Sequence, residues 1–378
     1  MNIPLVVIPP SELRWRVATA PSPSSMSSSG GVGSCPPGAP AWGSTATAMD
    51  FTSRRSPALA TRGMVASSQV LATEAGVRIL RQGGSAADAA VAVAAALNVC
   101  EPTSTGIGGD AFALYFDAKT KKVSAVQGGG ASPSALTLDL CRSRGHVGTE
   151  IVPSTDPLCV MVPGAAAMWE DCVARHGSGK LTLADVLQPA IELAESGPPI
   201  GPVTAELWKR QEHLLRATGA ACMLTPDGRA PRAGERKPNP ELAATFRRLG
   251  EHGAKAGFYT GPVADAIVAA VAARGGVLSC EDLAAHATSF PDPLSTTYRD
   301  SVTVWEMPPP NHGLAALLAF NLMEEQFPDR DLLRAAGPPN SVPHAHAAVE
   351  AMRCSFADTL QHCGRNDRET ALDTSKSV

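Results

Sequence analysis

The chain has 378 residues, a formal net charge of −4, and 44% hydrophobic against 18% charged residues. This length can bury a large core in one to three domains, and the charge balance gives no reason to expect a nucleic acid or an anionic membrane as partner. No apolar run is long enough and free enough of charge to predict a membrane span. The nine cysteines are scattered without a C-x-x-C pair, so neither a zinc site nor a disulfide framework is predicted.

The first 60 residues differ from the rest. They are rich in Ser, Gly and Pro, as in "PSPSSMSSSGGVGSCPPGAPAWGSTATA", and we predict a disordered leader there. The opening "MNIPLVVIPPSELRWR" has a short apolar run that prolines interrupt and no basic residue precedes, which makes it a poor secretory signal and favours a cytoplasmic protein. A degenerate targeting peptide and an internal start at Met49 stay open. A structured body is predicted over residues 61–360 and a divergent tail over 361–378.

Two helices open the body. The segment "SSQVLATEAGVRILRQGG" has apolar residues at helical spacing and ends at Gly83–Gly84, a good helix stop. The segment "SAADAAVAVAAALNV" begins with Ser85 and carries Asp88 three residues on, which resembles a capping box. It is apolar nearly all round, so we expect a buried helix whose alanines let neighbours approach closely.

A glycine-rich loop follows this second helix. Its "GIGGDA" fits the loose dinucleotide pattern G-x-G-x-x-A, but that loop must follow a strand and open a helix, whereas here it follows a helix and opens the strand "AFALYFD". A turn signal, "DAKTKK", leads to a second strand, "VSAVQ", and to the glycines Gly128 to Gly130. The two glycine clusters predict either backbone that closely approaches a ligand or tight packing at a sheet end.

The remaining segments are mainly helical. In chain order they are "AAAMWEDCVARHG", then "TLADVLQPAIELAESG", which Pro189 should kink or divide, then three short helices from "NPELAATF" to "CEDLAAH". "PLSTTYRDSVTVWEMPPP" predicts a strand pair or one bent strand, and "GLAALLAFNLMEEQF" and "HAHAAVEAMRCSFADTL" predict two further helices. The predicted class is therefore α+β, rich in helix.

The order of these segments resembles the gamma-glutamyltransferase (glutathione hydrolase) family, in particular its acylase-like branch. The resemblance covers about Arg62 to Thr359 and rests on "GGSAADAAVA" followed by "GIGGD", then on "GKLTLADVLQPAIELAESG", "FYTGPVADAIVAAV", "EMPPPNHGLAALLAFNLME" and "HAHAAVEAMRCSFADT". It implies an N-terminal nucleophile hydrolase with a four-layer αββα sandwich, of which this chain would supply the large-subunit part.

The resemblance also implies a mechanism. The precursor cuts itself before a threonine, and that threonine then begins the small subunit, where its own α-amine can act as base. A γ-glutamyl group passes from a substrate such as glutathione to the hydroxyl and then to water or an amine. No metal or organic cofactor is expected, and the missing small subunit is the expected partner.

The sequence departs from the family pattern at the nucleophile. No D-T-T-H wording follows "SFADT"; Asp373–Thr374 is followed by only four residues, too few for a small subunit, and Thr296–Thr297 lies at the entry to a predicted strand. We therefore predict no catalytic residue in these 378 residues.

It also departs from the pattern at the substrate clamp. In the family an arginine after the second strand holds the substrate carboxylate, but here Ala131 occupies that place in "GGGASP", and assigning the role to Arg142 or Arg144 has no support. The glutathione expectation is correspondingly weaker, and another acyl group is an open alternative.

Other chemically capable side chains have simpler explanations. His344 and His346 alternate on a predicted helix, where such residues do not share a face, so a metal pair is not expected. Asp110 could orient a substrate amine or could support a turn. Glu101 and His312 are better explained as loop residues and Cys100 as a core thiol.

The predicted substrate-binding residues are thus Gly108, Gly109, Asp110 and Ala131. The first hypothesis is a γ-glutamyl transferase or hydrolase homologue, truncated and inactive by itself. The alternative is a non-catalytic pseudoenzyme or splice form that binds a partner or ligand. A third is that the last twenty residues or so do not belong to the natural protein.

Overall fold

The computed structural model describes residues 6–8, 58–146, 152–328 and 341–363. Over these residues the chain is predominantly helical, and short 3-10 turns and one π-helical turn at Lys255–Tyr259 join some of the helices. The helices are α1 Val70–Arg81, α2 Ala86–Cys100, α3 Leu138–Ser143, α4 Ala165–His176, α5 Leu183–Ser196, α6 Pro202–Ala217, α7 Pro240–Ala254, α8 Pro262–Ala272, α9 Cys280–Ala284, α10 Gly313–Gln326 and α11 Val342–His362.

The described strands form three antiparallel pairs. These are β1 Val6–Ile8 with β2 Met64–Ala66, β3 Ala111–Asp117 with β4 Lys122–Gly128, and β5 Leu294–Tyr298 with β6 Val302–Glu306. The hairpin predicted around "DAKTKK" is confirmed, and the segment after residue 293 is a strand pair rather than one bent strand, because Arg299 and Asp300 turn the chain with positive φ.

The core is organised around α2. This helix is buried on nearly all sides and packs against α1, α4 and α5, and its many alanines allow this close approach. It begins as the sequence predicts, because the Ser85 hydroxyl accepts the N–H of Asp88 while the Asp88 carboxylate accepts the N–H of Ser85. The same carboxylate accepts the N–H of Ser178 at 2.8 Å, which joins the start of α2 to the segment after α4.

Of the two effects predicted for Pro189, a kink or a division of its segment, the division does not occur. The residue lies inside one continuous helix, α5, which a capping box at Thr182 and Asp185 begins and Gly197 ends. Pro189 is buried, and α5 packs along both α2 and α7. Tertiary packing over the helix therefore outweighs the one backbone hydrogen bond that a proline cannot donate.

One short segment of the predicted leader is among the described residues. Residues Val6–Ile8 form a strand that pairs with β2. The rest of residues 1–57, and the tail beyond 363, lie outside the described residues, and the division into leader, body and tail stays a prediction. Among the described helices, none combines the length and apolarity that crossing a bilayer requires.

Candidate functional site

The glycine loop leaves the end of α2 through a tight turn. The carbonyl oxygen of Glu101 accepts the N–H groups of Ser104 and Thr105 at 2.9 and 3.1 Å. Farther along, the N–H of Gly109 donates to the carbonyl oxygen of Gly106 at 3.0 Å. These local bonds fix the path of the loop between α2 and β3.

The end of the loop is docked on the start of α4. The carbonyl oxygen of Gly109 accepts two hydrogen bonds, from the N–H of Gly164 at 3.1 Å and from that of Ala165 at 3.0 Å. The first N–H groups of a helix have no partner within the helix, and the helix dipole favours negative charge there, so a carbonyl oxygen satisfies them well. The sequence shows the loop and the helix but not this contact.

The tip of the loop is open to solvent. Gly108, Gly109 and Asp110 are exposed, and a β-carbon added to Gly108 would meet no atom within 4 Å. Packing therefore does not require glycine at position 108, and neither Gly108 nor Gly109 has a positive φ. An approaching molecule can reach this backbone directly.

The second glycine cluster has a different role. A β-carbon on Gly130 would lie 1.6 Å from the carbonyl oxygen of Val162, and one on Gly164 would lie 1.9 Å from that of Gly128. No side chain fits at these distances. The interpretation as tight packing is therefore confirmed for Gly128 and Gly130, where the hairpin meets the segment before α4.

Asp110 and Ala131 lie where these two clusters meet. The Asp110 Oδ1 accepts the N–H of Gly130 at 3.0 Å, and the carbonyl oxygen of Ala131 accepts the N–H of Val162 at 3.0 Å. Asp110 thus joins the glycine loop to the chain after β4, and both Asp110 and Ala131 are exposed. A role of Asp110 in orienting a substrate amine stays a prediction.

Sequence reasoning missed Tyr259. Its buried hydroxyl donates to the carbonyl oxygen of Pro163 at 2.7 Å and accepts the N–H of Ala167 at 3.3 Å, and burial raises its pKa. These bonds brace the turn that presents Gly164 to Gly109. The two segments are about ninety positions apart, so no local pattern in "GFYTG" could have shown the contact.

The arginines near Ala131 in sequence are engaged elsewhere. The guanidinium of Arg142 pairs with Asp139 at 3.2 Å, and that of Arg144 donates to the carbonyl oxygen of Gly275 at 2.6 Å. Both guanidinium groups therefore have partners outside the glycine loop.

Glu101 and Cys100 have structural surroundings. The carboxylate of Glu101 accepts hydrogen bonds from Ser68 Oγ at 2.8 Å and Gln69 Nε2 at 2.7 Å, which ties the chain before α1 to the end of α2. Cys100 is a buried thiol, and its burial, followed by the charge of Glu101, raises its pKa to about 11. A thiol with that pKa is a poor nucleophile at neutral pH.

The candidate residues in the C-terminal part lie far from the glycine loop along the chain. Their side chains contact other residues of the C-terminal part. Thr296 on β5 donates to Asn321 Oδ1 on α10 at 2.6 Å, and Thr297 on β5 bonds Thr303 on β6 at 3.0 Å. His312 precedes α10, and its ring lies 5.7 Å from that of Phe356.

No metal site appears among these candidates. His344 and His346 are on α11, as predicted, and the described residues contain no group of three metal-ligating side chains. Thr374 lies outside the described residues.

A family assignment follows from comparison with known proteins. The family model described as gamma-glutamyltranspeptidase matches residues 72–376, which is most of the chain. The chain belongs to the gamma-glutamyltranspeptidase family. The resemblance seen in the sequence is therefore confirmed, and with it the α+β, N-terminal nucleophile hydrolase type of fold.

Individual relatives agree with this assignment. A glutathione hydrolase-like proenzyme from Bacillus subtilis is 35% identical over 301 residues, which are 79% of this chain and 55% of that protein. The gamma-glutamyltranspeptidase structure from Helicobacter pylori superposes with a TM-score of 0.73 at 30% identity, covering 82% of this chain and 86% of that one. The cephalosporin acylase from Bacillus halodurans gives 0.71 at 35% identity, covering 83% of this chain and 58% of the other.

The extent of these matches is uneven. The chain spans about half the length of the curated relatives it matches. The residues that the gamma-glutamyltranspeptidase family model matches include the glycine loop, the capped α2 and the β3–β4 hairpin of this chain.

Proposed function

We propose that this chain supplies the glycine-loop half of an enzyme that transfers or hydrolyses γ-glutamyl or related acyl groups. Turnover requires the other half of the family fold, which carries the nucleophile, whether it comes from a continuation of the chain or from a separate one. The 378 residues as they stand are inactive, because they contain no threonine in a D-T-T-H setting.

One observation carries this proposal. The glycine loop is held at one end by two hydrogen bonds between the Gly109 carbonyl and the start of α4, and its tip is uncovered, with open space around Gly108. A fixed, uncovered backbone is what a substrate-binding loop provides, since its polar groups need not reorganise when a ligand arrives. Asp110 adds a carboxylate at the edge of the same surface.

The unpartnered surfaces support the need for a second half. Each sheet among the described residues has only two strands, and isolated two-stranded sheets are marginally stable in water. Apolar side chains are exposed on β3 (Leu114 and Phe116) and on α11 (Val349 and Leu360). A partner packed on the face of the β3–β4 hairpin and along α11 would cover such residues.

Ala131 bears on which acyl group is bound. A carboxylate-bearing γ-glutamyl group is best held by an arginine fork, and Ala131 offers none. Relatives of this chain include both a glutathione hydrolase-like protein and a cephalosporin acylase. The proposed substrate class is accordingly an amide with a γ-glutamyl or a related acyl group.

Complementation tests the proposal. We would assay the purified chain alone with γ-glutamyl-p-nitroanilide, and then after co-expression with the C-terminal half of the Bacillus subtilis relative. The expected result is no release of p-nitroaniline by the chain alone and measurable release by the complex. The relative's own two halves, co-expressed in the same way, are the positive control.

Two outcomes would contradict the proposal. Turnover by the chain alone would show that a nucleophile exists within it. A stable complex that stays inactive on γ-glutamyl and on other acyl amides, while the control pair is active, would favour the non-catalytic binding protein.

A further inference from the structure

A small cavity lies between the end of α2 and α6. Its volume is about 10 Å³, and its lining includes Asn98 from α2 and Trp208 from α6. The rest of the lining is mixed: Val99, Pro102 and Met223 are apolar, whereas Cys222, Lys237 and Asn239 carry polar groups. This cavity is separate from the exposed tip of the glycine loop.

Two polar atoms at this cavity have unused hydrogen-bonding capacity. Asn98 is 4% exposed and Trp208 is 3% exposed. The Asn98 Oδ1, an acceptor, and the Trp208 Nε1–H, a donor, have no hydrogen-bond partner among the described residues. Buried polar groups of native proteins are nearly always paired, with protein or with ordered water.

From the volume of the cavity and its two unpaired polar atoms, we infer that it binds one ordered water molecule. This water donates to Asn98 Oδ1 and accepts from Trp208 Nε1–H. A water needs a cavity of about 10–15 Å³ on this measure and two or more polar partners. Water can both donate and accept hydrogen bonds, so one molecule can satisfy an acceptor and a donor together. A cation would be opposed by the indole N–H and by the ammonium group of Lys237, and a volume of about 10 Å³ holds no molecule larger than water.

The bound water connects α6 to the glycine loop. The other atom of the Asn98 amide, Nδ2, donates to Thr105 Oγ1 at 3.0 Å, and Thr105 opens the stretch that reaches Gly108. Trp208, the water, Asn98 and Thr105 thus form one hydrogen-bonded chain. Asn98 and Trp208 become positioning residues for the loop, acting through Thr105 and not on any ligand.

The wild-type chain allows a direct test. In protein labelled with ¹⁵N-tryptophan, the indole N–H of Trp208 should show a cross-peak to a long-lived water, and the loss of that signal in Trp208→Phe assigns it. A crystal structure of the same chain should show density within hydrogen-bonding distance of both atoms. Absence of the cross-peak, a direct Asn98–Trp208 bond or an empty cavity would each overturn the inference.

A second measurement tests the connection to the loop. Amide hydrogen exchange over residues 104–109 should be about fivefold faster in Trp208→Phe, the factor expected for one lost hydrogen bond. Trp305→Phe, at an exposed tryptophan on β6, is the matched control and should leave exchange unchanged. Equal exchange in both variants and the wild type would show that the water does not position the loop.

Discussion

The carboxylate of Asp110 accepts the backbone N–H of Gly130 at 3.0 Å. This one bond joins the residue after the first glycine cluster to the last glycine of the second. It brings together the two ends of the β3–β4 hairpin at the place where the Gly109 carbonyl meets α4. The hairpin end and the glycine loop are therefore joined into one hydrogen-bonded unit.

Replacement of Asp110 tests this unit. Asp110→Ala leaves the N–H of buried Gly130 without its acceptor and should lower the free energy of unfolding by about 1 kcal/mol. Urea unfolding measures the change. The control is Asp358→Ala, at an exposed site on α11, which should stay within about 0.5 kcal/mol of the wild type. Equal effects of the two substitutions would show that the Asp110 contact contributes nothing specific.

The two glycine clusters should respond oppositely to alanine. Gly130→Ala places a methyl group against the Val162 carbonyl and should cost at least about 2 kcal/mol of stability, or prevent folding. Gly108→Ala enters open space and should change stability by less than about 0.5 kcal/mol. Neither position has a positive φ, so the difference in stability depends only on whether there is room for the added methyl group. Thermal unfolding of both variants decides it, and a stable Gly130→Ala would refute the packing assignment.

A guanidinium at position 131 should restore a carboxylate anchor. In the complemented enzyme, Ala131→Arg should lower KM for a γ-glutamyl amide about tenfold, the gain of one charge-assisted hydrogen bond, and should leave KM for an amide without an α-carboxylate unchanged. Ser132→Arg, at the neighbouring exposed residue, is the control for added charge. If both variants lower KM for both substrates alike, position 131 does not face the acyl group.

Acid should weaken one ion-pair network in a predictable window. Arg229 bonds both oxygens of Glu235, at 2.8 and 2.9 Å, and this contact, followed by the N–H of Arg232, lowers the pKa of Glu235 to about 2. Because the folded pKa lies below the ordinary value near ~4.3, the contribution to stability is complete above that value. It is lost as the pH falls towards 2.

The variant Glu235→Gln isolates this contribution. Its unfolding midpoint should differ from that of the wild type at pH 6, and the difference should shrink steadily between pH 4.5 and pH 2. A difference that is the same at every pH would mean that the carboxylate acts through shape and not through charge.

Much of the fold was determined by local sequence. Ser85 with Asp88 and Thr182 with Asp185 mark helix starts, because a capping box is made within four residues, and the turn at 117–122 marks its hairpin in the same way. The order of the motifs along the chain also identified the family, because that order can be read from the sequence without knowledge of any three-dimensional contact.

Only the tertiary structure decided how the site is built. It showed that Gly108 is surrounded by open space and Gly130 by packed atoms, although both belong to similar glycine clusters in the sequence. It showed Tyr259 bracing Pro163 and Gly109 docked on α4, and it kept α5 continuous through Pro189. These outcomes depend on contacts between residues far apart in the chain, and the energies of such contacts are set by packing and hydrogen bonding that no local pattern encodes.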